Sequence, residues 1–388
     1  MADLTLSRLS DAFRVPRASR YSAPENGGDA LPLTYGDLTT VQGVDRGVYL
    51  CPKIDTAGAG TYCVAGFEIQ GTVSLFDRDG LIAPGDYTLN LANNYQGQGV
   101  IATAAFSVAP NQFVEAICKG KKNSGGTLIE NPAALAEELI LNLWGFSAQE
   151  IDNRTLNILK TLFSALGYKA AGVILEDHAP MEALQGLLGD FLGSFEVSPT
   201  GRISFSALGD EPATVYPVLF VPSRRIRARR ETELGSVVNQ VPMLYGKNFS
   251  FLDGRMKLHE SGETKKDAAS QALYGARLPE GGRLSPAWIR DQATARAVQE
   301  RIVERMKEPA RVVEIAEESL RCAHLEEGDY AAFTVPWLRT EQLEPLVNQI
   351  GQVLSVGVDL RAQSVTLRLR DTGLYVKSGS LRDTTVYA

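Results

Sequence analysis

NPAALAEEL, at residues 131–139, is the stretch where the pattern of the chain changes from strands to helices. Asn131 is a favoured N-cap residue, and Pro132 suits the first position of a helix. Leu135, Leu139 and Leu143 follow at helical spacing, so that one face of the helix is apolar. The sequence therefore predicts that a helical unit begins at Asn131.

Two more helices and a hairpin are predicted in the same unit. Ser147 and Glu150 can form a capping box ahead of the second helix, and Pro180 can open the third. The predicted apolar positions of these two helices are Leu156, Leu159, Phe163 and Leu166, and then Met181, Leu184, Leu188 and Phe191. Two β-prone segments then flank a turn at residues 199–201 and indicate a hairpin. Residues 125–210 are thus predicted to form a small α/β module.

Strand patterns lie on both sides of this module, in short β-prone runs separated by Gly, Asn, Asp and Pro turns. A helix predicted at about residues 285–308 interrupts the second set of strands, begins at Ser285-Pro286 and is expected to pack on the second β domain. Its predicted buried face comprises Ile289, Ala293, Val298, Ile302 and Met306. The predicted organisation is an extended N-terminal arm (1–34), a first β domain (35–124), the α/β module (125–210), a second β domain (211–372) and a C-terminal tail (373–388).

The predicted fold class is therefore α+β. We expect two mostly antiparallel β-barrel-like domains, with the small α/β module between them and a helical insertion in the second barrel. A chain of 388 residues is long enough for two or three such domains.

Composition and charge exclude several classes of function. An apolar fraction of 44% and a charged fraction of 22% are typical of a globular protein that folds in solution. A formal charge of −7 argues against a general nucleic-acid coat, because such binding needs a dominant basic surface. The chain has no run of eighteen uncharged apolar residues, so that no membrane insertion is expected.

The motifs of the common enzyme classes are absent from the sequence. The three histidines, His178, His259 and His324, lack the spacing of a helical zinc site. No G-x-S-x-G nucleophile elbow occurs, and KGKKNSGGT at residues 119–127 lacks the residue order of a phosphate-binding loop. We therefore expect no catalytic residues and no enzyme activity.

Cys51, Cys63 and Cys118 lie in the first β domain, and Cys51 and Cys63 flank a glycine-rich turn. Four cysteines in a chain of this length do not make a disulfide scaffold, and reduced thiols are expected. The three early cysteines are candidates for a metal ion or an iron–sulfur cluster. The alternative is that they are buried and inert, the usual state of a free cysteine. No cofactor is expected on this second interpretation.

SRRIRARR, at residues 223–230, is the densest basic segment of the chain. A strand would place Arg225, Arg227 and Arg229 on one face. This stripe could contact a phosphate backbone or an acidic neighbouring subunit, along a channel or an interface. Alternatively, it could be a solvated face neutralised by Glu231 and Glu233.

Several of these segments, taken in order, resemble the baseplate (tail tip) hub proteins of long-tailed bacteriophages and related tail-like particles. They are NPAALAEEL, the helix and hairpin at residues 181–208, ALYGARLPEGG at residues 272–282 followed by a long helix, the strand at residues 312–320, the turn at residues 325–330, and the final segments VLSVGVDL and SVTLRLRD. The resemblance covers about residues 125–372 and rests on no single motif.

The resemblance implies a structural protein without an active site. It implies a homotrimer whose two β domains per subunit form a pseudo-sixfold ring, joining the sixfold tail to the threefold tip around the channel for DNA ejection. The implied partners are the distal tail ring protein, the tape measure protein and a tail tip or central fibre protein. The implied location is the tail tip of the virion, after synthesis in the host cytoplasm.

Two other functions stay open on the sequence. The chain could be a tail-associated cell-wall hydrolase, which would need a convergent acid pair or metal site. It could also be a carbohydrate-binding adhesin, which would need exposed aromatic side chains along a groove. Tyr87, Tyr95 and Phe106 are the candidates for that role, and core packing is the alternative for them.

Overall fold

A computed structural model of the chain describes most of its 388 residues. The described residues are 30–40, 47–55, 59–94, 100–175, 180–197, 201–207, 215–218, 226–249, 260–317, 320, 322–323, 325, 329–339 and 345–375. In this part of the chain, none of the helices is long and apolar enough to cross a bilayer.

The first β domain consists of two four-stranded antiparallel sheets. Its strands are β2 Tyr49–Leu50, β3 Lys53–Asp55, β4 Thr61–Ala65, β5 Ile69–Asp77, β6 Gly80–Leu81, β7 Tyr87–Asn94, β8 Val100–Phe106 and β9 Glu115–Lys121, which follow β1 Leu33–Tyr35. One sheet has the order β2-β9-β5-β6 and the other β3-β4-β8-β7. Both sheets contribute buried side chains to one core, among them Val64 and Leu75.

The α/β module begins where the sequence predicts. Its elements are α1 Pro132–Glu138, α2 Asn153–Ala165, β10 Gly172–Ile174, α3 Pro180–Asp190, β11 Gly193–Val197 and β12 Ile203–Ala207. The Asn131 side chain accepts hydrogen bonds from the backbone N–H groups of Ala133 and Ala134 at 3.0 and 3.1 Å, which confirms the predicted cap. The predicted apolar face is buried, although α1 passes into a π-helical turn at Leu139–Leu143. Strands β11 and β12 form the predicted hairpin.

The last residues of the predicted extended arm pack against the rest of the chain. Leu31 and Leu33 are buried, and β1 pairs antiparallel with β10 of the α/β module. Residues 1–29 lie outside the described residues, as do residues 376–388 of the predicted tail. Because β1 pairs with a strand almost 140 residues later, local pattern could not predict it.

The second set of strands forms one six-stranded sheet. The remaining elements are β13 Val215–Val218, β14 Ile226–Glu233, β15 Gln240–Val241, β16 Leu244–Tyr245, β17 Glu260–Ser261, β18 Lys265–Lys266, α4 Ala268–Tyr274, α5 Gln292–Met306, β19 Ala310–Glu317, β20 Tyr330–Arg339, β21 Pro345–Asp359 and β22 Ser364–Tyr375. The order of the sheet is β13-β20-β21-β22-β19-β14. It curls so that β14 at one edge approaches β20 near the other, and only β13 pairs in parallel. The predicted α+β class with mostly antiparallel β domains is confirmed.

The buried side chains fall into two main cores. The larger is shared by the first β domain, the α/β module and α5. The smaller lies inside the six-stranded sheet and includes Val313, Phe333, Val353 and Leu367. The described residues therefore form a larger body, built around the first core, and a second sheet with its own core.

Helix α5 differs from its prediction in its start and its packing. It begins after Asp291, whose side chain accepts from the backbone N–H of Thr294 at 2.8 Å, and not at Ser285-Pro286. Its buried residues belong to the core of the first β domain and the α/β module, not to the second sheet. Ala293 is exposed, because its position faces away from that core.

Two smaller corrections concern the other helices. Met181 is exposed, whereas its predicted companions on α3 are buried. The capping contact between Ser147 and Glu150 is present, with the Ser147 N–H donating to Glu150 Oε2 at 2.8 Å. However, it closes a single 3-10 turn, and α2 starts after Asp152.

Candidate functional site

The three histidines of the chain, His178, His259 and His324, all lie outside the described residues. Among the residues that the structure describes, no group of three His, Cys, Asp or Glu side chains could hold a metal ion.

Cys51, Cys63 and Cys118 are all buried and free, and they lie around the hydroxyl of Tyr49. The Tyr49 hydroxyl donates to the Val64 carbonyl at 2.8 Å and lies 3.3 Å from Cys118 Sγ. Burial raises the pKa of the Cys118 thiol to about 11. Burial likewise raises the pKa of Cys51 and of Cys63. Such thiols are protonated near neutral pH, and the ligand or nucleophile would be the thiolate.

The arginine stripe is described only in part, because Arg225 lies outside the described residues. Arg227 and Arg229 are exposed on β14, at the edge of the six-stranded sheet. Arg229 makes a bidentate ion pair with Glu314 on β19. Its Nε donates to Oε1 at 3.2 Å, and its Nη2 donates to Oε2 at 2.9 Å. It also lies 3.2 Å from Glu231, one of the two glutamates named as its neutralising partners.

This face of the sheet carries alternating charge across three strands. Arg229, Glu314 and Arg368 lie side by side on β14, β19 and β22. Glu233 adds a contact to Arg368 at 3.6 Å. The pKa of Arg229 is raised by its hydrogen bond to Glu314 and by the negative charges of Glu231 and Glu314. The face therefore presents a mixed ionic surface and not a purely basic one.

The aromatic candidates for sugar binding pack against each other. The Phe106 ring is buried, and its centroid lies 5.3 Å from that of Tyr62 and 5.6 Å from that of Tyr87. Tyr95 lies outside the described residues. Phe106 and Tyr87 thus form part of the core of the first β domain and do not line an open groove.

A cleft of about 450 Å³ lies between the β11–β12 hairpin and the middle of the six-stranded sheet. Glu196 and Arg370 are its charged lining residues. The hydroxyl oxygens of Ser194 and Ser206, which also line it, lie 2.7 Å apart across the hairpin. Its lining holds one carboxylate and no histidine, cysteine or lysine. A paired acid and base, or a nucleophile with its base, is therefore missing from this cleft.

A half-buried carboxyl group, Asp190, and a buried guanidinium group, Arg290, lie on either side of the junction between the α/β module and the segment before α5. Asp190 Oδ2, at the end of α3, accepts the backbone N–H groups of Ala287 and Trp288 at 2.8 and 2.9 Å. Burial raises the pKa of Asp190 to about 6, although these bonds and Lys247 oppose the shift. Arg290 Nη1 donates to the Lys247 carbonyl at 2.6 Å, and burial lowers the pKa of Arg290 to about 10. Asp190 thus joins the module to this segment, and Arg290 joins the segment to the residues that follow β16.

Among the exposed large apolar side chains of the described residues, six lie in pairs on three parts of the chain. They are Leu81 (67% exposed) and Val108 (60%) in the first β domain, Leu273 (76%) and Leu278 (47%) at and after the end of α4, and Val358 (45%) and Leu360 (74%) at the tip of the β21–β22 hairpin. Clustered apolar exposure of this kind marks surfaces that other proteins cover.

The second of these parts, residues 272–283, is held by a buried side chain and is called the pinned loop. Asn239, fully buried, donates from Nδ2 to the Gly275 carbonyl at 2.9 Å and accepts the Arg277 N–H at 2.8 Å. The Asn239 N–H also donates to the Arg277 carbonyl at 3.0 Å. The loop is thus fixed from beneath while Leu273 and Leu278 face solvent. Sequence reasoning missed Asn239, because its partners lie more than 30 residues away.

Comparison with known proteins gives matches to solved structures alone. No protein-family model matches the chain. No curated protein matches it either.

Three solved structures are similar to the chain at very low sequence identity. Prophage tail protein gp18 from Listeria monocytogenes has 9% identity and a TM-score of 0.33, covering 88% of this chain and 87% of its own. The 43 kDa tail protein of prophage MuSo2 from Shewanella oneidensis has 8% identity and a TM-score of 0.38, with 88% and 94% covered. The tail protein from Neisseria meningitidis has 10% identity and a TM-score of 0.34, with 89% and 97% covered. All three are described as tail proteins.

Proposed function

We propose that the chain is a non-enzymatic structural subunit of a phage tail, and specifically a baseplate hub protein. In this role three copies form a ring that joins the sixfold tail to the threefold tip and bounds the channel through which DNA leaves. The subunit is a virion component at the tail tip. The class of particle comes from the sequence resemblance.

One observation carries the structural role: large apolar side chains are exposed on parts of the chain that are held in place. Leu273 and Leu360 are each about three quarters exposed. In a monomer, each such side chain would leave its apolar area in water, at a cost of about 25 cal/mol per Å². Burial between copies, or against other tail proteins, removes that cost.

The chemistry of the described residues favours the same role. Burial raises the pKa values of Cys51, Cys63 and Cys118, and the cleft beside β11 lacks an acid–base pair. The aromatic candidates for sugar binding are engaged in packing. No observation on the described residues therefore favours the hydrolase or the adhesin.

The architecture also suits a ring of two alternating β domains. The first β domain shares its core with the α/β module, whereas the six-stranded sheet has a core of its own. A subunit built this way can place two separate β surfaces around one axis. Strands β13 and β14 are the edge strands of the second sheet, and an edge strand is where a neighbour can pair.

The proposed partners follow from this position: other copies of the chain, the distal tail ring protein, the tape measure protein, and a tail tip or central fibre protein. The mixed charges of Arg229, Glu314 and Arg368 suit a contact with a protein neighbour better than a contact with phosphate. DNA would pass through the ring during ejection without a dedicated binding site.

Negative-stain electron microscopy of the purified chain, alone and mixed with a candidate distal ring protein, tests the proposal. Class averages with threefold symmetry and a central opening are expected in at least one of the two samples. Single particles of monomer size in both samples would overturn it.

A further inference from the structure

We propose that the ring forms by a head-to-tail contact in which the acidic tip of one copy docks on the pinned loop of the next. The acidic tip consists of residues 77–86 and 107–112, at one end of the first β domain. The pinned loop is residues 272–283, as defined above. This inference rests on the proposed ring and names the surfaces that would build it.

The acidic tip is a single ordered surface, although it comes from two segments of the chain. The Asn111 N–H donates to Asp77 Oδ2, and Asn111 Nδ2 donates to Asp79 Oδ2, both at 2.9 Å. The Ser107 N–H donates to the Asp86 carbonyl at 2.9 Å. These bonds join the turns that carry Leu81 and Val108, so that both exposed side chains lie at the same end of the domain.

The pinned loop has a net charge opposite to that of the acidic tip, and like the tip it exposes apolar side chains. Leu273 and Leu278 are exposed, and the loop carries Arg277 and Arg283 against the single Glu280. The acidic tip carries three aspartates against the single Arg78. Each surface thus has exposed leucine or valine beside charges, and the net charges are of opposite sign. Such complementarity selects a partner and fixes its orientation.

The two surfaces belong to different parts of the subunit. A contact between unlike surfaces is heterologous, and it generates a closed ring when the rotation between copies closes. A contact of one surface with itself would instead give a twofold dimer. Like charges would then face each other, three aspartates against three aspartates on the acidic tip. The occupant that fits the pinned loop is therefore the acidic tip of a second copy.

A leucine variant on the loop tests the contact. Leu273→Glu would place a carboxylate opposite the aspartates of the next copy, and we expect the trimer to dissociate to monomer. The fold should survive, because Leu273 is the most exposed large apolar residue described. Circular dichroism and the thermal midpoint verify this. Leu360→Glu is the matched control, since Leu360 is equally exposed on another surface, and it should leave the mass of the ring unchanged.

A charge swap makes the test specific. Asp86→Arg should weaken the ring, as should Arg283→Glu; the Asp86 side chain is not one of the bonds that join the two turns, because Asp86 contributes its backbone carbonyl. The chain with both changes should form the ring again, because the charges are again opposite across the contact. Light scattering gives the mass in each case.

The results separate this inference from the proposed function. If the wild-type chain forms a ring and Leu273→Glu forms it equally well, the inference fails and the ring stands. If the ring persists but Leu273→Glu no longer binds the distal ring protein, the loop serves another tail protein and the inference also fails. A wild-type chain that never assembles would overturn both.

Discussion

Asp190 offers a test of how the α/β module is joined to the rest of the larger body. Its carboxyl accepts two backbone N–H groups from the segment before α5, and burial raises its pKa to about 6. In the unfolded chain the pKa of an aspartate is about 3.9. The folded state therefore binds this proton more tightly than the unfolded state does.

The sign of the effect follows from linkage. Between pH 4 and 6 the folded state carries more protons on Asp190 than the unfolded state, so that stability falls as pH rises through this window. The full difference of about two pKa units corresponds to roughly 3 kcal/mol. Between pH 5 and pH 8 the contribution that is lost is about 1.4 kcal/mol, one factor of ten in the folding equilibrium.

Asp190→Asn removes the charge and keeps a side-chain oxygen that can accept both hydrogen bonds. The free energy of unfolding is measured in urea at pH 5 and at pH 8. For the variant it should not fall between these pH values through the titration of residue 190. Relative to wild type, the variant should gain about 1.4 kcal/mol on going from pH 5 to pH 8.

Asp359→Asn is the control, because Asp359 also accepts two backbone N–H groups, from Arg361 and Ala362, but in solvent. Its difference from wild type should be the same at both pH values. Parallel pH profiles for Asp190→Asn and wild type would refute the reasoning, because they would mean that burial does not hold the carboxyl in its protonated form.

Three further predictions concern packing, the thiols and the charged face. Gly172→Ala would place a methyl group 2.5 Å from the Trp288 ring and should lower the free energy of unfolding by about 1–3 kcal/mol. Gly186→Ala, on α3 with open space around it, should raise it by about 0.5–1 kcal/mol. Urea unfolding of both variants measures the contrast, and equal effects would contradict the close packing. All four cysteines are buried and should react with a thiol reagent only after unfolding; a thiol that reacts at once in the folded protein would contradict this. Replacing Arg227 and Arg229 with Ser should leave the thermal midpoint unchanged but weaken assembly, and unchanged assembly would disprove a role for this face.

Local features of the chain were predictable from the sequence because their partners lie nearby. The cap at Asn131, the start of α3 at Pro180 and the β11–β12 hairpin depend on contacts within a few residues. The strand pattern also predicted β structure near the end of the chain, where β21 and β22 pair across a short turn.

Features that depend on distant partners were missed. The sequence predicts a helix start at Ser285-Pro286. In the structure the N–H groups of Ala287 and Trp288 instead donate to the carboxyl group of Asp190, almost 100 residues earlier. Those N–H groups are therefore not used in a helix, and α5 begins only at Gln292. The apolar stripe of α5 predicts a buried face but does not predict which core receives it.

The surfaces with most bearing on function were also beyond the sequence. Leu273 and Leu278 look like core residues in a sequence, and only their exposure in the fold distinguishes them. Asn239 gives no local signal, because its role is to hold a loop that follows 30 residues later. The resemblance to hub proteins included this loop without indicating that it is a surface.

The mass of the purified chain in solution, measured by light scattering alone and then with a distal tail ring protein, tests the central claim most directly. A trimer, or a monomer that becomes three copies on the ring protein, is the predicted result. A chain that stays monomeric under both conditions would contradict the account of this protein as a ring-forming structural subunit.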